Sequence, residues 1–421
     1  MQFKKLALAL ALAGIVLPAA HATNGYFQPG LSVKSVGMGG VGIAFPQDAL
    51  AAAINPAGMV DIGNRLDFGV SAFQPKRNAS LSSDATVYSP QAGQSFPIRG
   101  SYGGNDTKTF IIPEFGVNYM LNPTMSVGVS VYGNGGLNTG YSKIFPPFAP
   151  GTGVDLQQLF VAPTFAMKVN SSNSIGVSLN IVHQSFRANG LGVLCNMLSA
   201  NPRACTDNGH SDSNGYGLRI GWIGQLTPTL SVGATYQSET HMQNFGKYSG
   251  LFAEGGKFNI PANYGVGVAW KATPALTVAA DVVRIDYGSI PAIANGFIPG
   301  GQLGGQTNGP GFSWKSINVY KLGVAYQYNE ALTLRAGWNH GDNPIDSSNI
   351  LFNTLAPGVV KDHLTLGATY AIAKNMELSF DYVHALGNSV TGQLPGNFGF
   401  TGTETLSMSQ NVLGVSLGWK Y

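Results

Sequence analysis

Charge is scarce in this 421-residue sequence: Asp, Glu, Lys and Arg together make up 10% of it, where soluble domains carry roughly 25%. A surface built mainly of charged side chains is excluded. Long hydrophobic runs are also missing. Beyond the first 22 residues no stretch reaches the ~18 consecutive apolar residues that a membrane-crossing helix needs. A chain short of charge and without a helical span fits the other membrane solution, a closed sheet in which every backbone group is paired. Cysteine is nearly absent, and Cys195 and Cys205, ten positions apart in a polar stretch, are too few for a zinc site of about four ligands. In an exported chain the pair reads as a loop disulfide. An excess of one sign of charge is lacking too. Net charge is +3, so the basic footprint of a nucleic-acid partner is absent.

Lys4 and Lys5, an apolar run from Leu6 to Leu17 and the small-residue end Ala20-His21-Ala22 form the three-part pattern of a secretory signal peptide. Residues 1–22 are therefore expected to be removed and the mature chain to begin at Thr23. Removing two of the 23 basic residues leaves 21 against 20 acidic ones, a net charge of +1.

Alternation with a period of two recurs from residue 64 to the last residue. Leu230, Val232, Ala234 and Tyr236 alternate with polar or small neighbours, and so do Leu332, Leu334, Ala336 and Trp338, and Met376, Leu378, Phe380 and Tyr382. Aromatic residues close the apolar faces, as in the interfacial girdles of membrane barrels. About fourteen such segments begin near residues 64, 107, 124, 156, 173, 214, 229, 262, 275, 315, 331, 361, 375 and 406, an even number as bacterial barrels require.

Short polar turns such as Asn122-Pro123, Thr227-Pro228 and Lys374-Asn375 alternate with long loops at about 77–106, 136–155, 189–212, 240–261, 289–314, 341–360 and 388–405. That asymmetry puts the turns in the periplasm and the loops outside the cell. The expected fold is thus all-β, a transmembrane antiparallel barrel of about 14 strands over residues 64–421, in a Gram-negative-type outer membrane among lipid and lipopolysaccharide. The final set Leu413, Val415, Leu417, Trp419, Tyr421 resembles the C-terminal signal read by the barrel-assembly machinery.

Residues 23–63 break the pattern, being rich in Gly and Ala without a period of two. Gly37, Gly39 and Gly42 satisfy a literal G-x-G-x-x-G. No strand precedes them and no βαβ unit surrounds them, so close backbone packing explains them better than a dinucleotide. Asn24-Gly25-Tyr26-Phe27, the run Gly37 to Ala44, Asp48 and Asn55-Pro56-Ala57 resemble the N-terminal hatch of the FadL family of outer-membrane fatty acid and hydrocarbon transporters. The resemblance extends in layout over the whole mature chain. It implies a monomer, a luminal hatch at 23–63 that includes Asn55, Pro56 and Ala57, substrate capture by extracellular loops, and exit through an inward kink in the third strand. Here that strand, Met125 to Gly133, runs into Asn134, Gly135 and Gly136. Glycines at 133, 135 and 136 permit a kink or bulge; a flexible start to a loop is the other reading.

Leu191, Leu194 and Leu198 in one loop, and Phe245, Tyr248 and Phe252 in another, have helical spacing. Apolar stripes in water-facing loops meet either each other or a ligand. The resemblance implies a capture groove; a small core beneath a loop held by the Cys195–Cys205 bridge is the alternative. Strand phase points Phe160, Val283 and Ile285 into the lumen together with Arg219, Lys321 and Arg335. Mixed apolar and cationic walls suit a ligand with a tail and an anionic head, although each cation also has luminal carboxylates or the hatch to pair with. The function expected is uptake of long-chain fatty acids or other hydrophobic small molecules, with no cofactor or metal. A water-filled porin is one alternative. A lipid hydrolase is another: His183 and Ser185 share a strand face, as in the His-x-Ser arrangement of outer-membrane phospholipase, but need an orienting Asn or Asp on a neighbouring strand.

Overall fold

A computed structural model describes residues 24–298 and 300–421. The signal-peptide reading and the expected start at Thr23 lie outside them. Fourteen strands form the barrel. The first seven are β1 (Arg65–Leu81), β2 (Phe110–Asn122), β3 (Met125–Tyr141), β4 (Thr152–Lys168), β5 (Asn173–Asn189), β6 (Ser211–Thr227) and β7 (Leu230–Gln237). The rest are β8 (Asn263–Lys271), β9 (Leu276–Ile285), β10 (Ile317–Gln327), β11 (Leu332–Gly341), β12 (Asp362–Ala373), β13 (Met376–Gln393) and β14 (Thr403–Lys420). Each pairs antiparallel with its sequence neighbours, and β1 meets β14 from Arg65↔Lys420 to Leu81↔Glu404, which closes the sheet. Closure leaves no free edge in lipid.

The outward positions are apolar and open. Ile220, Val266, Leu366 and Leu413 are each more than half exposed, a costly surface in water and a matching one in hydrocarbon. Exposed aromatics ring both ends of this band. Trp222, Trp270, Tyr326, Tyr370 and Trp419 lie toward the short turns, and Tyr216, Tyr236, Tyr264, Tyr320 and Trp338 toward the long loops.

Several strands run further outward than the alternation indicates. β1 continues to Leu81, β3 to Tyr141 and β13 to Gln393, into segments expected to be loop. Above the lipid the outer face has no reason to be apolar. Lys76 and Asn78 on β1 stand opposite Ser409 and Ser407 on β14, and the hydrogen-bonded ladder continues while the hydropathy signal fades.

Residues 24–64 pack against inward-facing positions of the barrel wall. A four-residue helix, Val33–Val36, is capped by a reciprocal Ser32 and Ser35 box. Two 3-10 turns follow, Ala51–Ala53 and Pro56–Asp61, the second with Asn55 as N-cap and Pro56 in its first turn. The three glycines of the literal motif bind the wall: Gly37 lies against Gly367, Gly39 N–H donates to Thr365 Oγ1 (2.8 Å) and Gly42 N–H to Asp281 Oδ2 (2.8 Å). An ionic knot anchors the segment at the short-turn end. Arg65 bonds Asp67 (2.6 Å) and Glu377 (2.7 Å), and Lys34 also pairs with Glu377. Burial, reinforced by the nearby Asp67, pushes the Asp48 carboxyl above its usual range, and burial with the nearby Arg65 holds the Lys34 ammonium below its own.

Candidate functional site

The wall has one discontinuity next to the hatch. β2 and β3 pair only from Asn122↔Met125 to Glu114↔Tyr132, after which the rest of β2 pairs only with β1 and β3 has no strand partner on that side until Asn105 bridges Gly140 near its outer end. On its other side β3 shifts register against β4 between Gly133 and Gly135, which is a bulge at Asn134. The glycine run is therefore a bulge inside a continuing strand, not the flexible start of a loop.

Hatch residues occupy the place that β2 vacates. Phe27 bridges Gly135, Gly136 N–H donates to Tyr26 O (3.1 Å) and Gln28 N–H to Asn134 O (3.3 Å). The Gln28 side-chain amide donates to Gly133 O at 2.6 Å. Position 135 has to be glycine for this contact, because a Cβ there would overlap the Tyr26 carbonyl. Residues 26–28 thus act as a short replacement strand that satisfies backbone groups otherwise left open in the wall.

Asn55, Pro56 and Ala57 anchor the hatch elsewhere. Asn55 Oδ1 accepts from Ala57 N–H (3.1 Å), and its Nδ2 donates to Ile43 O (2.7 Å), Trp222 O on β6 (3.0 Å) and Ala234 O on β7 (3.4 Å). Pro56 and Ala57 rest on Gly176 of β5. Among the described residues no hydrogen bond joins this triplet to Gly133, Gly135 or Gly136. Any coupling between them passes through the hatch.

Arg219, Lys321, Val283 and Ile285 do come together. They line a luminal cavity of about 60 Å³ whose wall also includes Phe27, Gln28, Pro29 and Leu31 of the N-terminal segment and Asn134, Asn263 and Val319 of the barrel. Arg219 donates to Ile54 O (3.0 Å), Gln237 Oε1 (2.5 Å) and Asn263 Oδ1 (3.3 Å), while Lys321 donates to Pro29 O (2.7 Å) and Gly40 O (3.1 Å). Neither forms an ion pair within 4 Å with a described carboxylate, although Lys321 stands opposite Asp281 across the β9–β10 ladder; of the two partners considered for them it is the N-terminal segment, with barrel amides, that they bond. Arg335 lies apart. It bonds Gln47 (2.8 Å) and Thr369 (2.7 Å) beside a polar hollow of about 250 Å³ at the short-turn end, shared with Lys34, Arg65 and Glu377. Phe160 is also separate, stacked on Tyr132 with ring centroids 5.3 Å apart.

The loop stripes are not open to water. Leu191, just before the helix Gly192–Leu198, and Leu194 on it are buried, and Phe245, Tyr248 and Phe252 surround Phe186 with centroids 5.6, 4.9 and 4.7 Å away. Cys195 and Cys205 are joined as a disulfide beneath them. Leu191, Leu194, Leu198, Phe252, Phe312 and Phe352 enclose an apolar cavity of about 70 Å³. The arrangement is that of a small core with a hollow in it.

His183 has the neighbour a triad would require, since its Nδ1 lies 2.9 Å from Asn214 Oδ1 on β6. Its Nε2, however, faces Asp212 at 3.8 Å, and among the described residues no hydrogen bond joins it to the Ser185 hydroxyl.

Sequence reading missed Gln28 and Tyr287. Tyr287 binds the backbone of Asn24, Tyr26 and Phe27 from the loop after β9. A lone polar residue in an unpatterned loop carries no periodic signal. The only pointer was Asn24 to Phe27 on the partner side.

The profile of the family described as outer membrane protein transport protein (OMPP1/FadL/TodX) matches residues 15–418. The long-chain fatty acid transport protein of Escherichia coli (strain K12) is 23% identical over 431 residues, covering 91% of this chain and 92% of the relative. The crystal structure of the Pseudomonas putida toluene transporter TodX superposes with a TM-score of 0.70 at 19% identity, over 93% of this chain and 99% of that one. A Pseudomonas aeruginosa FadL homologue gives 0.72 at 16% identity, over 94% and 99%. At such identities these structures share the fold.

Proposed function

The chain belongs to the OMPP1/FadL/TodX family of outer-membrane transport proteins, and from that premise we propose that it takes up hydrophobic small molecules through an exit in the barrel wall. The observation that carries this reading is the gap between β2 and β3, filled beside the glycine bulge by residues 26–28. An apolar solute crossing a water-filled pore stays exposed at ~25 cal/mol per Å² of its surface. A route from an apolar loop cavity to a luminal pocket and then sideways into the membrane avoids most of that cost.

Long-chain fatty acids are the ligands best matched. Among the described residues Arg219 and Lys321 hydrogen-bond only to neutral acceptors, in a pocket of mixed apolar and amide lining, so a carboxylate would replace weak partners by charge-assisted ones. A cavity of about 60 Å³ is smaller than any such acid. Entry therefore displaces the lining from Phe27 to Leu31, which is continuous with the plug in the wall. Binding and gate opening draw on one segment, with Asn55, Pro56 and Ala57 as the fixed pivot. Neutral hydrocarbons are the second reading, favoured by the wholly apolar hollow under the loops. No catalytic step is assigned to His183 or Ser185.

The test is uptake of labelled oleate and of toluene by cells with matched surface expression, together with mass spectrometry of ligand retained through mild-detergent purification. Saturable hydrophobic uptake is expected. Free passage of sugars and salt in planar bilayers would mean an open porin instead.

A further inference from the structure

We propose that Tyr287 is a positioning residue that latches the wall plug to the extracellular cap, so that ligand arriving in the loop cavity releases the plug; this rests on the lateral-exit reading. Tyr287 lies two residues beyond the end of β9, on the loop leading to β10, and is fully buried. Its hydroxyl donates to Asn24 O (2.6 Å) and accepts from Tyr26 N–H (3.1 Å) and Phe27 N–H (3.3 Å). One phenol thus uses its single proton and both lone pairs on the backbone of the segment that fills the gap. Its ring stands 5.1 Å from that of Tyr26 and 5.7 Å from that of Phe27. Gly25, at φ +66°, bends the chain around it, and a Cβ there would strike the ring.

The other face of Tyr287 belongs to the cap. Trp314 meets it edge-on at 5.3 Å, and Trp314 Nε1 donates to Asn353 Oδ1 at 2.6 Å on the loop between β11 and β12. Asn353 returns a bond to Phe312 O (2.8 Å). Phe312 and Phe352 line the apolar loop cavity. A ligand wedged between them pushes on the support of Trp314, then on Tyr287, then on the three hydrogen bonds that hold residues 24–27. Beyond these lie the bonds of residues 26–28 to the glycine bulge of β3. The two ends of the transport path are thereby joined by packed aromatic rings and hydrogen bonds, not by the barrel ladder.

The experiment is hydrogen exchange by mass spectrometry on the full-length barrel in detergent, paired with uptake kinetics, for Tyr287→Phe and Trp314→Phe. Tyr287→Phe keeps the ring, orphans the Tyr26 N–H and leaves Phe27 N–H and Asn24 O only their mutual bond of 3.3 Å. Exchange over residues 24–28 and 134–141 is expected to rise at least tenfold while the β8–β10 ladder stays as in the unaltered protein. The half-saturating oleate concentration should rise severalfold, with maximal uptake held or increased, a split that mere loss of folded barrel would not give. Trp314→Phe should raise exchange at 24–28 in the same direction. Unchanged exchange at 24–28 in Tyr287→Phe would overturn the latch, and loosening by Tyr287→Phe alone would overturn its connection to the cap. Uptake that is unaltered in Gly133→Phe would instead defeat the lateral route beneath it.

Discussion

The amide oxygen of Asn55 sits where a Cβ on Gly221 would be. Hatch and wall are therefore fitted at a single atom. Gly221→Ala should drive Asn55 out of place and orphan its bonds to Ile43, Trp222 and Ala234, and Asn55→Ala should remove the same bonds together with the N-cap of Pro56–Asp61. Each change is expected to loosen the hatch by about 1–3 kcal/mol with little effect on barrel melting, since the ladder is independent of it. Oleate uptake at matched surface expression should fall severalfold in both. Wild-type uptake in both would mean that this anchor is no part of the gate.

At the wall opening two glycines should behave differently. A Cβ on Gly133 comes within 3.2 Å of Ile112 across the gap, so Gly133→Phe narrows the exit itself. A side chain on Gly135 instead meets the Tyr26 carbonyl and pushes the plug inward. Gly133→Phe is expected to abolish most hydrophobic uptake without raising permeability to small hydrophilic solutes. Gly135→Val should raise exchange at residues 24–28. The pair is read by uptake, planar-bilayer conductance and hydrogen exchange, and a conductance rise in Gly133→Phe would contradict the assignment.

Legibility followed the physical pressure on each face. Where a strand separates lipid from lumen, alternation is enforced, and the expected starts near 173, 229, 262, 275, 331, 361 and 375 fall within a residue of Asn173, Leu230, Asn263, Leu276, Leu332, Asp362 and Met376. Outside the lipid that pressure ends, so the outer turns of β1, β3 and β13 were not visible. The glycine bulge was visible as a possibility because glycine is what a close backbone approach demands. Its occupant was not, because Gln28 and Tyr287 act through a few hydrogen bonds over more than a hundred residues of sequence. The loop stripes were found by their spacing, but spacing does not say whether a stripe covers a ligand or another stripe.

The Cys195–Cys205 bridge closes a loop of ten residues under the outer cavity. In the chain-entropy account that should stabilise the loop by roughly 2 to 3 kcal/mol. With both cysteines replaced by serine, exchange over residues 190–209 should rise while the barrel keeps its heat-modifiable migration in gels. Two alkylatable thiols in protein taken directly from the outer membrane would refute the bridge in the cell.

Arg219 and Lys321 separate acids from neutral hydrocarbons as ligands. Arg219 is buried and Lys321 half-buried, both hydrogen-bonded to neutral oxygens, and an incoming carboxylate gains a charge-assisted bond from each. Such a bond contributes about 1.5–3 kcal/mol, roughly a tenfold to hundredfold change in affinity. Arg219→Met and Lys321→Met should therefore raise the half-saturating concentration of oleate by at least tenfold. Toluene, which has no head group, should shift by less than about threefold in the same variants if the pocket keeps its shape. Because Lys321 also holds Pro29 and Gly40 of the hatch, Arg219→Lys and Lys321→Arg serve as controls that keep the charge. Recovery of oleate uptake in these controls ties the loss to the charge. Equal losses for oleate and toluene in the methionine variants would show that the two cations hold the hatch and do not read the ligand.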